Sequence, residues 1–229
     1  MRIAGKISGV LMSAIAKNGS LVQLILKLLL RLDNFSYRNI SRFAVMAEGG
    51  IHPKHRLMNY HRFFVDNVSP QDAVLDIGCG NGFLSYDIAG KAKSVTAVDL
   101  SPTNIKLAKK DFNKENIEYI CGDACQIEFT DKFDVIILSN VLEHIEDGHK
   151  FLLMINKLAD RFLVRVPLID REWLTYYKRE LGVEYRLDAT HRIEYTLATF
   201  QEELGRAGMQ IETVSTQFGE IWAVVGKTT

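Results

Sequence analysis

The stretch Val74-Leu75-Asp76-Ile77-Gly78-Cys79-Gly80-Asn81-Gly82-Phe83-Leu84-Ser85 reads as a hydrophobic strand that enters a three-glycine turn and leaves it as a helix. Glycines at such a turn let the backbone pass close to a ligand, and the first turn of a helix offers N–H groups without partners in the helix itself. Asp76 narrows the choice of ligand, because a carboxylate two residues before the first glycine repels a dinucleotide pyrophosphate and attracts a group bearing an ammonium. The third glycine also falls at Gly82, with Phe83 where the dinucleotide fingerprint G-x-G-x-x-G requires glycine.

Outward from this turn, short β-branched apolar runs alternate with longer helical periods, the pattern of βα units on a mostly parallel sheet. The runs predict seven strands: Ala73–Ile77, Val95–Asp99, Ile117–Cys121, Phe133–Leu138, Phe162–Val166, Met209–Ser215 and Ile221–Val225. Ser101 as N-cap with Pro102 behind it marks one helix. Thr196 opens another, with Leu197, Phe200, Leu204 and Ala207 on one face and Gly208 at its end. The last two strands are joined at about Gln217 to Gly219, too short for a crossover helix, so they form an antiparallel hairpin at one end of the sheet.

Two further acids fall at strand ends. Asp99 closes the second strand, 23 residues after Asp76, where an acidic side chain can accept both ribose hydroxyls of an adenosine ligand. Asp123 follows the third strand, where it can accept a hydrogen bond from an adenine amino group. Asp commonly caps strand-to-helix turns, so each acid alone carries little. Three in succession at the carboxyl edge, where open α/β sheets bind ligands, mark a site.

Asp76-Ile-Gly-Cys-Gly-Asn-Gly, Val98-Asp99-Leu100-Ser101, Gly122-Asp123-Ala124 and the run from Phe133-Asp134 to Glu143-His144-Ile145 resemble the successive motifs of the class I S-adenosylmethionine-dependent methyltransferases, over about residues 70 to 226. The resemblance implies a Rossmann-like α/β fold with helices on both faces of a seven-stranded sheet, ordered 3-2-1-4-5-7-6 with strand 7 antiparallel. It implies S-adenosyl-L-methionine as cofactor and S-adenosyl-L-homocysteine as product. Gly78, Cys79 and Gly80 would hold the methionine moiety, with Asp76 acting through water. Asp99 and Leu100 would take the ribose, Asp123 and Ala124 the adenine, and Ser139 and Asn140 would face the methyl donor. The segment from Gly50 to Arg62 resembles the His…Asn…Arg segment that precedes the core in ubiquinone-pathway O-methyltransferases, which makes Arg62 the candidate for the cofactor carboxylate. Ser139 to His144 resembles the Glu-x-x-Glu-His metal site of those enzymes and of small-RNA 2′-O-methyltransferases. Asn140 replaces the first glutamate and removes an anionic ligand, so no metal is expected.

Methyl transfer to a hydroxyl needs an in-line nucleophile and a group to remove its proton. His144, after the fourth strand, and His191, in Asp188-Ala-Thr-His191-Arg192, are the candidates. Residues from about 168 to 195 are aromatic and charged, and form the expected acceptor cap. A nicotinamide-dependent oxidoreductase would share the fold and Asp99, but not Asp76 or the glycine spacing. A non-catalytic S-adenosylmethionine-binding module is the other alternative.

The remaining 62 residues differ in kind. The chain has 229 residues, with 28 Lys and Arg balancing 28 Asp and Glu, so a general polyanion-binding surface is excluded and no nucleic-acid partner is expected. Residues 1 to 62 nevertheless hold ten basic residues against two acidic ones, leaving +8 there and −8 in the remainder. Within them, Leu21 to Leu32 places Gln23, Lys27 and Arg31 as a narrow polar stripe on an otherwise apolar helix. Such a helix packs into its own chain or a homodimer, or lies in a membrane interface through residues 1 to 32. No apolar run reaches the ~18 residues of a spanning helix. The chain is thus read as an N-terminal helical extension, 1–62, before a methyltransferase domain, 63–229. Cys79, Cys121 and Cys125 are too few for a disulfide framework and too few for a zinc site, and fit a reducing compartment. A cytoplasmic protein, at the inner membrane surface if the helix binds lipid, is expected. The acceptor is read as a small molecule, a glycan or a lipid-linked intermediate.

Overall fold

Alternating side chains of the central strands enter two different cores, one on each face of the sheet. Leu75 and Ile77 of β1 (Ala73–Ile77) join Ile136 and Leu138 of β4 (Val135–Ser139) in one cluster, while Val74, Val135 and Ile137 join the other. A strand covered on both faces needs a near-continuous apolar run, which is why these segments do not alternate with polar residues. The computed structural model describes residues 12, 13 and 15–228; Arg2 and Lys6 of the basic segment lie outside them.

Seven strands form one sheet, in the order β3-β2-β1-β4-β5-β7-β6. With β1 and β4, the parallel strands are β2 (Ser94–Asp99), β3 (Ile117–Cys121) and β5 (Arg161–Pro167). β7 (Glu220–Lys227) pairs antiparallel with both β5 and β6 (Met209–Gln217). The hairpin turn puts Phe218 and Gly219 at positive φ, 53° and 75°, the pairing that matches the twist of the flanking strands. β6 is an edge strand, and its polar, mostly exposed residues suit an edge. The seven sequence-predicted strands coincide with these to within a residue or two. The largest difference is at β4, where Phe133 and Asp134 stay outside the strand: Phe133 N–H bonds to Leu158 O, and the Asp134 carboxylate accepts from Ala73 N–H at 2.7 Å.

Two compact units divide the chain. One comprises residues 1–53 and 173–185, the other 54–172 and 186–229. The larger unit holds the sheet, α2 (Lys54–Met58), α3 (Tyr60–Asp66), α4 (Phe83–Ile88), α5 (Pro102–Asp111), α6 (Gly148–Ile155) and α8 (Leu197–Arg206). Residues 54–62 therefore lie with the sheet, and Tyr60, His61 and Phe64 of α3 are buried. Ser101 caps α5 with Pro102 as its first residue, and Thr196 caps α8.

The smaller unit holds α1 (Gly19–Ala47), capped by the Asn18 side chain, and α7 (Trp173–Glu180). Lys178 Nζ pairs with Asp33 Oδ2 at 2.7 Å and donates to Asn34 Oδ1 at 2.8 Å, while Asn34 Nδ2 donates to Glu184 O. The Leu-rich stretch is thus the first half of a helix that continues to Ala47. Leu30 is its one buried residue. Among the described residues no helix is long and apolar enough to cross a membrane.

Candidate active site

The glycine turn is held to β2. Gly78 and Cys79 N–H both donate to Val98 O, at 2.8 and 3.0 Å, and Gly80 N–H donates to Asp99 Oδ2 at 2.9 Å. Gly78 has φ +73°, and a Cβ there would come within 2.6 Å of Val141 Cγ2. Gly82 has φ +84°, and a Cβ there would meet Tyr119 Oη at 2.6 Å and Ala108 at 2.8 Å. Side chains are excluded at both positions by conformation and by space.

Beside this turn lies a cleft of about 300 Å³. Of the residues expected to bind a cofactor, Gly78, Asp99, Leu100, Asp123, Ala124 and Asn140 line it, and so does His144. Asp99 is held by three donors: Gly80 N–H, Ser101 N–H at 2.8 Å and Asn104 Nδ2 at 3.1 Å. About one of its four acceptor positions remains, so gripping two hydroxyls would require Asn104 to give way. Asp123 is fixed by Cys125 N–H and Gln126 Nε2, both at 2.9 Å.

Four other expected residues, Asp76, Cys79, Gly80 and Ser139, lie within two residues of lining residues in sequence without lining the cleft themselves. Asp76 is buried beneath the turn and accepts from Ser85 Oγ at 2.6 Å; burial raises it to about 7, against the lowering effect of that hydrogen bond. A carboxyl near half-neutral at pH 7 repels a pyrophosphate only weakly, so charge is a poorer argument against a dinucleotide than the sequence suggested. The stronger obstacle is Phe83, whose ring packs 4.7 Å from His61, 5.3 Å from His55 and 5.1 Å from Phe112 where the fingerprint needs glycine.

Arg62 is not brought to the site. α3 turns Tyr60, His61 and Phe64 inward, which leaves Arg62 on the outer face, its side chain 73% exposed and paired with Asp66 at 3.1 Å. A cation unsuspected from sequence, Arg165 near the end of β5, is fully buried beside the cleft wall. Its Nε donates to Asn140 Oδ1 and pairs with Glu220 Oε2, both at 3.0 Å, and its guanidinium stacks 3.7 Å from the Tyr60 ring. Together with the Asn140 N–H bond to Arg165 O, this holds Asn140 at φ +57° on the wall of the cleft.

His144 and His191 come together, ring centroids 4.8 Å apart and edge to face. His191 is buried, and its Nδ1 lies 3.1 Å from Glu194 Oε1. Burial works to raise Glu194, but hydrogen bonds from His191, Arg171 Nη1 at 2.5 Å and Leu187 N–H at 2.6 Å outweigh it and hold the carboxyl below its usual range. An ionised carboxylate only accepts, so His191 Nδ1 carries the hydrogen that bonds to Glu194. The same reasoning fixes His144. Thr190 Oγ1 gives its one hydrogen to Asp188 Oδ1 at 2.7 Å, so at 3.0 Å it must accept from His144 Nδ1. Burial and the neighbouring His191 lower the His144 pKa, which keeps it neutral.

Glu143 completes the group. It is fully buried, both carboxylate oxygens lack a hydrogen-bond partner among the described residues, and burial raises it to about 8. One ligand atom from each of Glu143, His144 and His191 lies within 4.8 Å of the others. The expectation of no metal rested on Asn140, whose side chain is engaged by Arg165. The three other donors converge without it, and their chemistry, one carboxylate and two imidazole lone pairs, fits a divalent cation.

A glycine turn and strand-end acids at the carboxyl edge of a 3-2-1-4-5-7-6 sheet define the class I S-adenosylmethionine-dependent methyltransferases. Residues 75–160 match the family described as methyltransferase domain, and the sheet has the strand order of that class. It is similar to the mitochondrial ubiquinone biosynthesis O-methyltransferase of Schizosaccharomyces pombe, 43% identical over 84 residues that cover 34% of this chain and 31% of that one. It is also similar to the ubiquinone biosynthesis O-methyltransferase of Glaesserella parasuis, 27% identical over 71% of this chain and 78% of the relative. Across several other curated relatives the chain spans between 46% and 60% of their length. The N-methyltransferase NodS of Bradyrhizobium japonicum, solved with S-adenosyl-L-homocysteine, shares the fold at TM-score 0.59 and 17% identity, over 77% of this chain and 87% of that one.

Proposed function

We propose that the chain transfers a methyl group from S-adenosylmethionine to a hydroxyl oxygen of a small-molecule, glycan or lipid-linked acceptor. The observation that carries this reading is the His144–His191 pair, its tautomers fixed by Glu194 and Thr190, beside the cleft that Asp99 and Asp123 line. When bound, the cofactor supplies an electrophilic methyl group on a sulfonium. Gly78 and Gly80 let the backbone approach its methionine end, Asp99 accepts from the ribose, Asp123 from the adenine amino group, and Asn140 faces the reacting end. His191 Nε2 takes the acceptor's proton directly or through His144, and Glu194 stabilises the imidazolium that results. The names of the curated relatives, O-methyltransferases of ubiquinone biosynthesis, support oxygen as the accepting atom.

A second reading rests on the orphaned oxygens of Glu143. Glu143, His144 and His191 would then hold a divalent cation, which would act as a Lewis acid on the acceptor oxygen. Mass spectrometry of extracts from cells with and without the gene, and of the isolated protein incubated with the product fraction's unmethylated precursor, tests the reaction. A species heavier by one methylene on oxygen is expected, and none appearing would refute it. Repeating the incubation after dialysis against a chelator separates the readings: retained turnover supports proton transfer alone, and loss restored by magnesium or zinc supports the cation.

A further inference from the structure

The helix α1 presents its apolar side outward. At roughly 100° per residue, Leu21, Leu24, Leu28, Leu32, Phe35 and Phe43 fall within an arc of about 100°. All six are exposed, from 38% at Leu21 to 67% at Phe43, while Leu30, on the opposite side of the helix, is buried. An apolar stripe of this length facing water is unstable as a bare surface.

Charge says what covers it. The helix carries four basic residues, Lys27, Arg31, Arg38 and Arg42, and one acid, Asp33. The four cations fall within the adjoining arc of about 60°, along one border of the apolar stripe. Arg31, Arg38 and Arg42 are exposed. Asp33 lies elsewhere on the helix and is neutralised by Lys178. A face joining leucines and phenylalanines to a border of cations matches the boundary between acyl chains and anionic headgroups, whereas a second copy would bring the same cations against each other.

We propose that α1 seats the protein on an anionic lipid surface, lying in the interface with its leucine and phenylalanine side chains among the acyl chains and Arg31, Arg38 and Arg42 at the headgroups. This holds whatever the methyl acceptor proves to be, and the α7 segment is tied to the same unit through Lys178.

Co-sedimentation of the full chain with vesicles tests it. Binding to phosphatidylcholine vesicles containing phosphatidylglycerol is expected to exceed binding to phosphatidylcholine alone by about tenfold or more, and to weaken severalfold as salt rises from about 0.05 to 0.5 M. Phe35→Asp should reduce binding to both vesicle types, and the triple change Arg31→Glu, Arg38→Glu, Arg42→Glu should remove the preference for anionic lipid. Circular dichroism melts establish that each variant is folded, and the salt dependence of the unaltered chain decides the matter should a variant not fold. No binding to the anionic vesicles at low salt, or equal binding to both kinds, would overturn the proposal. So would a dimer that Phe35→Asp splits while vesicles are ignored.

Discussion

The two halves of the cleft are built in opposite ways. The cofactor half, at the ends of β1, β2 and β3, is made of backbone and short acids within a few residues of each strand end, braced mainly by near neighbours: Asp99 by Ser101 and Asn104, with Gly80 N–H from the adjacent turn, and Asp123 by Cys125 and Gln126. The half proposed to take the acceptor joins side chains far apart in sequence, with His144 set by Thr190 and His191 by a glutamate that Arg171 anchors. A ligand common to a whole fold class can be met by local rules. An acceptor particular to one enzyme calls for long-range side-chain contacts, and these can change without disturbing the sheet.

If the halves are separable, altering one should leave the other standing. The largest effect is expected from His191→Ala, which should lower kcat by about 10² to 10⁴-fold while the dissociation constant for S-adenosylhomocysteine stays within about twofold. Single-turnover kinetics with parallel calorimetry would check this, and equal losses in both would merge the halves. Asp99→Ala should do the reverse, weakening S-adenosylhomocysteine by about 1.5 to 3 kcal/mol, with kcat at saturating cofactor little changed. An unchanged dissociation constant in the folded variant would remove Asp99 from the site.

The smallest effect concerns stability. Glu143 has a folded-state pKa of about 8 against a usual 4.5, because burial disfavours its charge. Between these values the folded chain keeps a proton that the unfolded chain has lost, so this group's contribution is fully present below about 4.5 and is lost as pH rises to about 8. Glu143→Gln, neutral at every pH, should therefore raise stability relative to the parent at pH 9 and by much less at pH 5. Denaturant titrations at the two pH values would show it. A parent already as stable as the variant at pH 9 would mean that Glu143 is charged and paired, as a bound cation would make it.

The same contrast decides what the sequence made legible. Short β-branched apolar runs and the turns between them located all seven strands and the closing hairpin, because both are properties of adjacent residues. The strand-end acids were legible for the same reason. Arg62 misled because a spacing pattern cannot say which face of α3 turns inward, and the burial of Tyr60 and Phe64 decided that. Arg165 was invisible inside an apolar β5 run, since its role depends on Asn140, Glu220 and Tyr60 on other elements. Glu194 stood three residues from His191 in sequence, but nothing local marked it as the orienting carboxylate. In α1 the polar stripe was legible from its spacing, but the exposure of the leucines and phenylalanines that border it depends on contacts that no local pattern states.

Ligand choice by the cofactor half is the central claim, and calorimetry of the full chain with S-adenosylhomocysteine and with NAD tests it most directly. The account predicts one molecule of S-adenosylhomocysteine bound per chain, and no heat from NAD because Phe83 occupies the position where a dinucleotide needs glycine. NAD bound more tightly than S-adenosylhomocysteine would contradict it.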